Sequence, residues 1–436
     1  MEGRSMDSTF FTVVAVMAVV VQSYLLLLFF FEPGLRYKVW NPPAPNSPEF
    51  LNMLQALLGV CTYRSSRVDV LTNGNAFYAS ELDAIRAAQK SINLEAYIFQ
   101  EGKLTRDFVT ALAERARLGV KVNLVIDAVG SAGTGRSYFQ ELSDAGGRVA
   151  RYHPFGWATV ARFNNRTHRV LLVIDGKVGF VGGAGFADQW YQDTPKNPRW
   201  RDTIVRVEGK AVASLQSTFV ENWLESSGEI LSGEEYFPFP QEREQGTSKG
   251  EPVVEMVVSS SPSLGRSTRA RILFQTLLAS AQESICLTTP YFLPDRSARA
   301  EMLRAMRERG VRIRIMTPGK HSDQLLTRRS SRRLYGALLE GGAQIYEYQP
   351  AMMHAKVLII DNLWSVVGST NFDHRSFGLN DELNLVCCNE KLAGRLTADF
   401  EKDLRDSRLI EYSEWKRRSL FEKAHEYLGW VLERQQ

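Results

Sequence analysis

Hydrophobic and polar positions along most of the chain form two recurring patterns. Amphipathic stretches of helical length alternate with short runs rich in Val, Ile and Leu, such as Lys121–Asp127 and Arg312–Thr317. Short apolar runs between helices are typical of buried strands, so we expect α/β units around a largely buried sheet. Gly119 and Gly310 follow helical stretches, at the position where a helix commonly ends before the next strand.

The N-terminal segment departs from this pattern because residues 10–31 are almost all apolar. At about 1.5 Å per residue, a helix of this length spans roughly 33 Å, enough for the hydrocarbon core of a bilayer. A cleaved secretory signal would have a shorter apolar core and an Ala-x-Ala-like site after it. We therefore expect a transmembrane anchor at 9–31 and a Pro-rich juxtamembrane spacer at 32–65.

The charges around this segment bear on which side of the membrane the rest of the chain lies. Arg4 precedes the apolar run, whereas Arg36 and Lys38 follow it. Positive residues favour the cytoplasmic side, so we expect a single-pass protein of the cell (inner) membrane with its soluble domains in the cytoplasm.

The remaining chain contains an internal repeat. The block Ala88–Ile92 precedes an apolar strand, and a similar block recurs at Ala281–Ile285. A polar segment without periodicity, which has the properties of a linker, separates the two halves. We place a first domain at 66–238, a linker at 239–251 and a second domain at 252–436.

Composition narrows the classes of function. The 436 residues are 44% hydrophobic and 23% charged, with a net charge of +4, so the chain is too apolar for a disordered protein and too neutral to coat nucleic acid. The four cysteines contain no CxxC pair, which excludes a cysteine-based zinc module and a disulfide framework. Any basic site must therefore be local.

Each half of the repeat contains a similar motif of polar residues that are candidates for catalysis. In the second half, His354 and Lys356 precede an apolar run that ends at Asp361, and a Gly-Ser-x-Asn turn with Ser369 and Asn371 follows. In an extended chain, residues two apart share a face, so the imidazole and the ammonium are predicted to point the same way. Together with a hydroxyl and an amide, they suit the oxygens of a phosphate, and a nitrogen is available to attack phosphorus.

The first half repeats this pattern with differences. His168 precedes an apolar run ending at Asp175, and a glycine-rich turn containing Gly183 and Gly185 follows. Tyr97 and Tyr291 also match between the halves, and we expect both to be buried aromatics at strand ends.

These motifs resemble the phospholipase D superfamily, which has a duplicated His-x-Lys-(x4)-Asp motif followed by Gly-Ser-x-Asn. The extension of the second motif, from Gly368 to Phe377 with Asn380 and Glu382 beyond it, is similar to bacterial cardiolipin synthases, and Trp200-Arg201-Asp202 supports the resemblance. It implies two tandem phospholipase D-like α/β/α sandwich domains related by a pseudo-two-fold repeat, with the two histidines meeting at their interface.

The resemblance also implies roles for the candidate residues. His168 would be the nucleophile that forms a phosphohistidine and His354 the general acid and base, although these two roles are exchangeable. Lys356 would clamp the phosphate, and Asp175 and Asp361 would orient the imidazoles. Ser369, Asn371 and Gly183 would bind the substrate phosphate, and neither a metal nor another cofactor is required.

One position departs from the family pattern. Val170 stands where the superfamily has the lysine of the first motif. Three explanations remain open: Arg166 or Arg169 substitutes for the lysine, the activity is lost, or the lysine has been replaced by an altered residue. Strand alternation is expected to point Arg169 to the opposite face, which disfavours it as the substitute.

The implied function is a membrane-anchored phosphatidyltransferase that makes cardiolipin and glycerol from two molecules of phosphatidylglycerol. The expected partners are therefore a phospholipid substrate and the membrane, and not nucleic acid. One alternative is a phospholipase D or phosphodiesterase that hydrolyses phospholipid to phosphatidic acid. Another is a catalytically impaired homologue, because of Val170.

Overall fold

The computed structural model describes residues 3–31, 35–64, 67–156, 162–195, 197–239, 253–263, 267–419 and 422–423. Two N-terminal helices, α1 (Gly3–Phe31) and α2 (Pro48–Leu58), precede the repeated part of the chain. The predicted linker at 239–251 lies outside the described residues except for its first position.

The first domain is built on a seven-stranded mixed sheet with the order β1-β8-β7-β6-β2-β3-β4. Strands β2, β3 and β4 are parallel, and helices connect them, as parallel neighbours require. The remaining pairings are antiparallel. Its elements, in chain order, are β1 (Arg67–Thr72), α3 (Gly74–Ala87), β2 (Ser91–Ala96), α4 (Lys103–Arg117), β3 (Lys121–Asp127), α5 (Gln140–Asp144), β4 (Arg148–Tyr152), β5 (Arg166–Thr167), β6 (Leu171–Ile174), β7 (Val178–Gly182), β8 (Thr203–Glu208) and α6 (Val212–Ser227).

The second domain repeats this topology. Its strands run in the order β9-β15-β14-β13-β10-β11-β12, which matches the first sheet strand for strand, and β16 is added beyond β12. The internal repeat predicted from the sequence is therefore confirmed. Its elements are β9 (Val254–Ser260), α7 (Arg269–Ser280), β10 (Ser284–Thr288), α8 (Arg296–Arg309), β11 (Arg312–Pro318), α9 (Leu325–Glu340), β12 (Gln344–Tyr348), β13 (Val357–Ile360), β14 (Trp364–Gly368), β15 (Asn380–Cys388), α10 (Glu390–Arg405), β16 (Ser407–Leu409) and α11 (Tyr412–Lys416).

The two domains share an apolar core where they meet. Leu171 and Val205 of the first sheet belong to the same buried cluster as Val367 and Leu385 of the second. Strand β5 also crosses the boundary, because it pairs in parallel with the start of β15. Burial of these side chains favours one fixed orientation of the two sheets, and that orientation positions the site described below.

Part of the segment predicted as a spacer is an integral part of the second domain. In α2, Phe50 and Leu54 are fully buried in the second domain's core, and the Phe50 ring meets the Trp364 ring edge-on at 5.5 Å. The Trp364 indole also donates a hydrogen bond to the carbonyl of Pro45 at 2.7 Å. The prolines of this segment therefore lead into a packed helix, and the prediction of a plain spacer over 32–65 is wrong for this part.

The predicted membrane anchor does not gain support from the structure. Over the part of the chain that the structure describes, no helix combines the length and the apolarity needed to cross a bilayer. The single-pass anchor at 9–31 and the inner-membrane location based on it are therefore not supported.

Candidate active site

A cavity of about 420 Å³ lies where the two domains meet, and both halves of the repeat contribute to its wall. Its base holds the histidines of the two sequence motifs, which the structure therefore brings together. The lining residues are Tyr97, Ile98, Gly130, Arg166, His168, Val170, Gly183, Gly185, Trp190, Tyr291, Asp323, Gln324, Thr327, His354, Asn371, Asp373, Arg375 and Asn380.

His168 is held by groups of the opposite domain. It lies between β5 and β6, and its backbone N–H donates to the carbonyl of Asp381 at 2.9 Å. Its Nδ1 lies 3.1 Å from both carboxylate oxygens of Glu382, which is fully buried. The Tyr97 ring packs edge-on against the imidazole with centroids 5.3 Å apart. Backbone, carboxylate and ring contacts together fix the orientation of this imidazole.

His354 is held in the same way with the domains exchanged. Its backbone N–H donates to the carbonyl of Arg201 at 2.8 Å, and its Nδ1 lies 2.7 Å from Oδ2 of Asp202. The Trp190 indole donates to the same carboxylate oxygen at 3.1 Å. Each catalytic candidate therefore receives its backbone acceptor and its carboxylate from two consecutive residues of the other domain.

The two carboxylates determine which ring nitrogens are free. Burial alone raises the pKa of Asp202 and of Glu382, but the hydrogen bond and charge of the facing histidine outweigh it and leave both pKa values lowered. An ionised carboxylate only accepts hydrogen bonds, so Nδ1 of each imidazole carries the hydrogen. Burial, together with the charge of Lys356, lowers the pKa of His354. This lowered pKa favours the neutral form of His354, which has its hydrogen on Nδ1 and a lone pair at Nε2.

Lys356 lies against the imidazole of His354. Its Nζ is 2.9 Å from Nδ1 and 3.0 Å from Nε2 of the ring, and it donates to the His354 carbonyl at 2.8 Å. Burial lowers its pKa to about 8, so the ammonium remains mostly charged at pH 7. Phosphate oxygens bound by this ammonium would hold phosphorus close to an imidazole nitrogen.

Gly183 provides the space that Lys356 occupies. A Cβ atom at position 183 would come within 2.6 Å of Cδ of Lys356. Because Gly183 belongs to the first domain and Lys356 to the second, this close approach is another contact across the boundary. Gly183 therefore leaves room for the aliphatic part of the Lys356 side chain. It also lines the cavity.

The prediction that Asp175 and Asp361 orient the imidazoles is wrong. The Asp175 carboxylate accepts hydrogen bonds from the backbone N–H groups of residues 89–91, and the Asp361 carboxylate does the same for residues 282–284. Each aspartate follows a four-residue strand and so lies at the end opposite the histidine, about 20 Å away at the rise of an extended chain. Both stabilise the start of the neighbouring strand instead.

The turn residues of the second motif divide between support and cavity wall. Ser369 is fully buried and donates its hydroxyl to Glu382, so it holds the carboxylate that orients His168 and not the substrate as predicted. Asn371 lines the cavity, and its Oδ1 is buried without a hydrogen-bond partner. Asn380 also lines the cavity with an unpartnered, buried Oδ1. These two amides are available to a bound ligand.

Val170 leaves the first half of the site without the cation expected there. Its side chain is buried in the cavity wall, whereas Arg169 points away and binds Glu221 and Ser259. Arg166 lines the cavity, but its guanidinium is engaged by Asp127 and by the carbonyls of Asn165 and His153. Neither arginine therefore takes the position that a lysine at 170 would have.

The described residues contain no group of three or more His, Cys, Asp or Glu side chains arranged to hold a metal ion. The charged groups that face the cavity are protein side chains, including Arg375, whose guanidinium donates to the side chain and carbonyl of Asn164.

Comparison with known proteins identifies the family. The family described as "Cardiolipin synthase, PLD-like domain" matches residues 82–223 and 274–404, one range in each half of the repeat. Cardiolipin synthase 1 of Bacillus cereus is 33% identical over 359 residues, which cover 80% of this chain and 69% of that protein. Cardiolipin synthase 1 of Bacillus anthracis is 32% identical over 387 residues, or 87% of this chain and 74% of that protein. The chain belongs to the cardiolipin synthase family. It is an enzyme of the phosphatidyltransferase class within the phospholipase D superfamily.

A solved structure shares the fold of this cardiolipin synthase family member. The crystal structure of phosphatidylserine synthase from Haemophilus influenzae Rd KW20 superposes with a TM-score of 0.67 at 14% identity. The match covers 88% of this chain and 99% of that chain, so the arrangement of both domains is common to the two proteins.

Several site residues of this family member are absent from the sequence-based assignment. Asp202 and Glu382 lie in motifs that carried the resemblance, but no role was given to them because their partners come from the distant half of the chain. Tyr97 and Tyr291 were expected to be buried aromatics, yet both line the cavity. Their matched positions in the repeat are the signal that could have placed them at the site.

Proposed function

We propose that this protein transfers a phosphatidyl group from one phosphatidylglycerol to another, producing cardiolipin and glycerol. The observation that carries this proposal is the pair of imidazoles facing one cavity, each oriented through Nδ1 by a buried carboxylate of the other domain. Two oriented imidazoles supply the nucleophile and the acid–base group that a two-step displacement at phosphorus requires. The named relatives support the choice of lipid substrate.

In the first step, Nε2 of His168 attacks phosphorus and the bond from phosphorus to the glycerol oxygen breaks. His354, protonated on Nε2 for this step, delivers that proton to the oxygen and becomes neutral, so glycerol leaves as a neutral alcohol and a phosphatidyl-histidine remains. In the second step, a hydroxyl of another phosphatidylglycerol attacks phosphorus. His354 takes up the hydroxyl proton, the phosphorus–nitrogen bond breaks, and His168 is regenerated.

The lowered pKa of His354 supports its part in the second step, because the neutral imidazole left by the first step must accept the proton of the acceptor alcohol. Lys356 is placed to bind phosphate oxygens as negative charge develops on them. A fixed charged donor of this kind contributes on the order of 10²–10³ in rate. The unpartnered Oδ1 of Asn371 is an acceptor available to a hydroxyl group of the substrate.

A catalytically impaired homologue is the second candidate, and Val170 is the observation that favours it. In that case the paired histidines persist while the first half of the site no longer supports turnover at a useful rate.

Feeding phosphatidylglycerol labelled in its terminal glycerol to the purified full chain separates these candidates. Release of labelled glycerol with formation of cardiolipin supports the proposal. Phosphatidic acid as the lipid product would show that water is the acceptor, and absence of turnover at high enzyme concentration would favour the impaired homologue. His354→Ala is the control, and undiminished product from that variant would refute the site assignment.

The roles of the two histidines are tested with a phosphatidyl ester of p-nitrophenol, whose departure needs little proton donation. We expect His354→Ala to release p-nitrophenol and to accumulate an alkali-stable phosphohistidine at His168. We expect His168→Ala to do neither. The opposite pattern would exchange the two roles.

A further inference from the structure

Exposed apolar side chains lie close in sequence to cavity-lining residues in both domains. Val129 immediately precedes Gly130 in the cavity wall, and Leu325 and Leu326 immediately follow Gln324. Phe155 and Phe163 lie on the segment that leads to Arg166. These five residues, 37–80% exposed, are called the apolar rim below; Phe155 is the most exposed of them at 80%.

Phe155 and Phe163 are connected to the cavity by direct contacts. Their rings meet edge-on with centroids 5.4 Å apart, and the Arg166 guanidinium lies 5.3 Å from the centroid of Phe163. The next residue, Asn164, holds the guanidinium of Arg375. The exposed aromatic pair is therefore connected to Arg166 and Arg375, the two arginines that line the cavity.

The size of the cavity limits how much of a phospholipid it can enclose. A volume of 420 Å³ corresponds to a sphere about 9 Å across, whereas the acyl chains of one leaflet extend about 15 Å. A headgroup fits this space, but two acyl chains do not. With a diacyl lipid bound, the acyl chains must therefore extend out of the cavity, and the apolar rim provides exposed side chains that they can contact.

We propose that the apolar rim is a membrane-contact surface, which inserts into the outer part of a phospholipid bilayer and places the cavity over a lipid headgroup. This proposal rests on the proposed phospholipid substrate and adds the surface through which that substrate enters. Aromatic and aliphatic side chains beside cationic groups are the composition that binds the headgroup–acyl boundary.

Site-directed fluorescence tests insertion of the rim directly. An environment-sensitive probe is attached to Leu325→Cys or Phe155→Cys in the full chain carrying Cys61→Ser, since Cys61 is the exposed cysteine among the described residues. On addition of phosphatidylglycerol vesicles, we expect a blue shift and quenching by brominated acyl chains. The same probe at Leu118→Cys is the control, because Leu118 is 70% exposed and precedes β3, at the end of that strand away from Gly130 in the cavity wall.

The probe at 118 reports whether any response is confined to the rim. A rim probe that does not respond to vesicles would overturn the proposal, and so would equal quenching at 118. A blue shift that grows with protein concentration in the absence of lipid would also overturn it, because another copy of the chain would then cover the rim.

Activity measurements provide a second test. The ratio of turnover on phosphatidylglycerol vesicles to turnover on monomeric short-chain phosphatidylglycerol is compared between variants. We expect Phe155→Ser combined with Leu325→Ser to lower this ratio on the order of tenfold or more, because two apolar side chains no longer enter the bilayer. Leu118→Ser should leave the ratio unchanged.

An unchanged ratio in the rim variant would overturn the membrane-contact surface while leaving the proposed reaction intact. A wild-type protein that converts neither substrate would instead refute the proposed function, and the probe experiment would then decide the membrane-contact surface by itself.

Discussion

Val170→Lys is expected to increase turnover, because it restores a cation to the half of the site that lacks one. Val170 is buried in the cavity wall, which also holds His168. Lys356 shows how the equivalent position behaves in the second half, where its ammonium lies 3.0 Å from the histidine nitrogen. A second charged donor in the transition state is worth on the order of 10²-fold in rate.

The protonation state of the new lysine and its effect on stability can be judged from Lys356, because Val170 and Lys356 are both buried. Burial lowers the pKa of Lys356 to about 8, so a lysine in a matching environment is protonated about ten to one at pH 7. A lysine pKa lowered by burial means that the folded state holds its proton less tightly than the unfolded state. The resulting loss in free energy of unfolding is fully present below the folded-state pKa and disappears as pH rises from that value to the unfolded-state pKa. The shift corresponds to a loss of about 3 kcal/mol in the free energy of unfolding at pH 7.

Two features of the cavity reduce this cost. The Oδ1 atoms of Asn371 and Asn380 are buried acceptors without a partner, and both line the cavity that the new ammonium would enter. A charged donor that reaches either atom gains a hydrogen bond worth on the order of 1.5–3 kcal/mol. The variant is therefore expected to fold with a moderately lower melting temperature.

The assay is the initial rate of cardiolipin formation from labelled phosphatidylglycerol at pH 7, with circular dichroism to verify folding. Val170→Met is the matched control, since it has similar length without charge and should bring no gain. A folded Val170→Lys protein that is no faster than Val170→Met would refute the interpretation of position 170 as a missing phosphate contact.

Three further predictions concern the orienting carboxylates, the pH dependence and the N-terminal helix. Asp202→Asn should lower the rate on the order of 10²–10⁴, because an amide favours the wrong tautomer of His354. Asp361→Asn should lower the melting temperature only. A comparable rate loss in Asp361→Asn would contradict the finding that Asp202, and not Asp361, orients His354. The rate should decline as pH rises through about 8, where Lys356 loses its charge. Lys356→Arg should remove that decline from the pH–rate profile, because arginine stays charged. An unchanged profile in this variant would exclude Lys356 as the group that binds the phosphate. Phe50→Ala should reduce the free energy of unfolding, measured by denaturant titration, by about 3–5 kcal/mol. Leu57→Ala, on the exposed side of α2, should change it little. Equal effects of the two substitutions would show that α2 is not packed on the second domain.

The sequence predicts the repeated α/β architecture because the signal for each element is local. Apolar runs and helical periods occur within a few residues, and the matched blocks at Ala88 and Ala281 show that one topology is used twice. The paired histidines are predictable for the same reason, since each begins a motif that can be read along one strand.

The orienting carboxylates could not be assigned from such local patterns. Asp175 and Asp361 follow the histidines closely in sequence, but a strand carries them to the opposite end of the sheet. Asp202 and Glu382 lie far away in sequence and reach the imidazoles only through the packing of one domain on the other. Helix α2 was misjudged in a related way, because its prolines indicated a spacer while Phe50 and Leu54 are buried in a core formed by distant residues.

The contacts between each histidine and the carboxylate of the opposite domain suggest how the site could function without the first lysine. Each histidine takes its carboxylate from the opposite domain, so the duplicated fold forms one site around one phosphorus atom and not two half-sites working separately. The buried Arg201–Asp403 pair, with Nε and Oδ2 2.9 Å apart, spans the same boundary and helps to keep both imidazoles in register. Since one phosphorus atom reacts in each step of the proposed mechanism, two lysines would serve the oxygens of that one phosphate. Loss of one is then expected to reduce the rate without removing the nucleophile, the acid–base group or the remaining clamp.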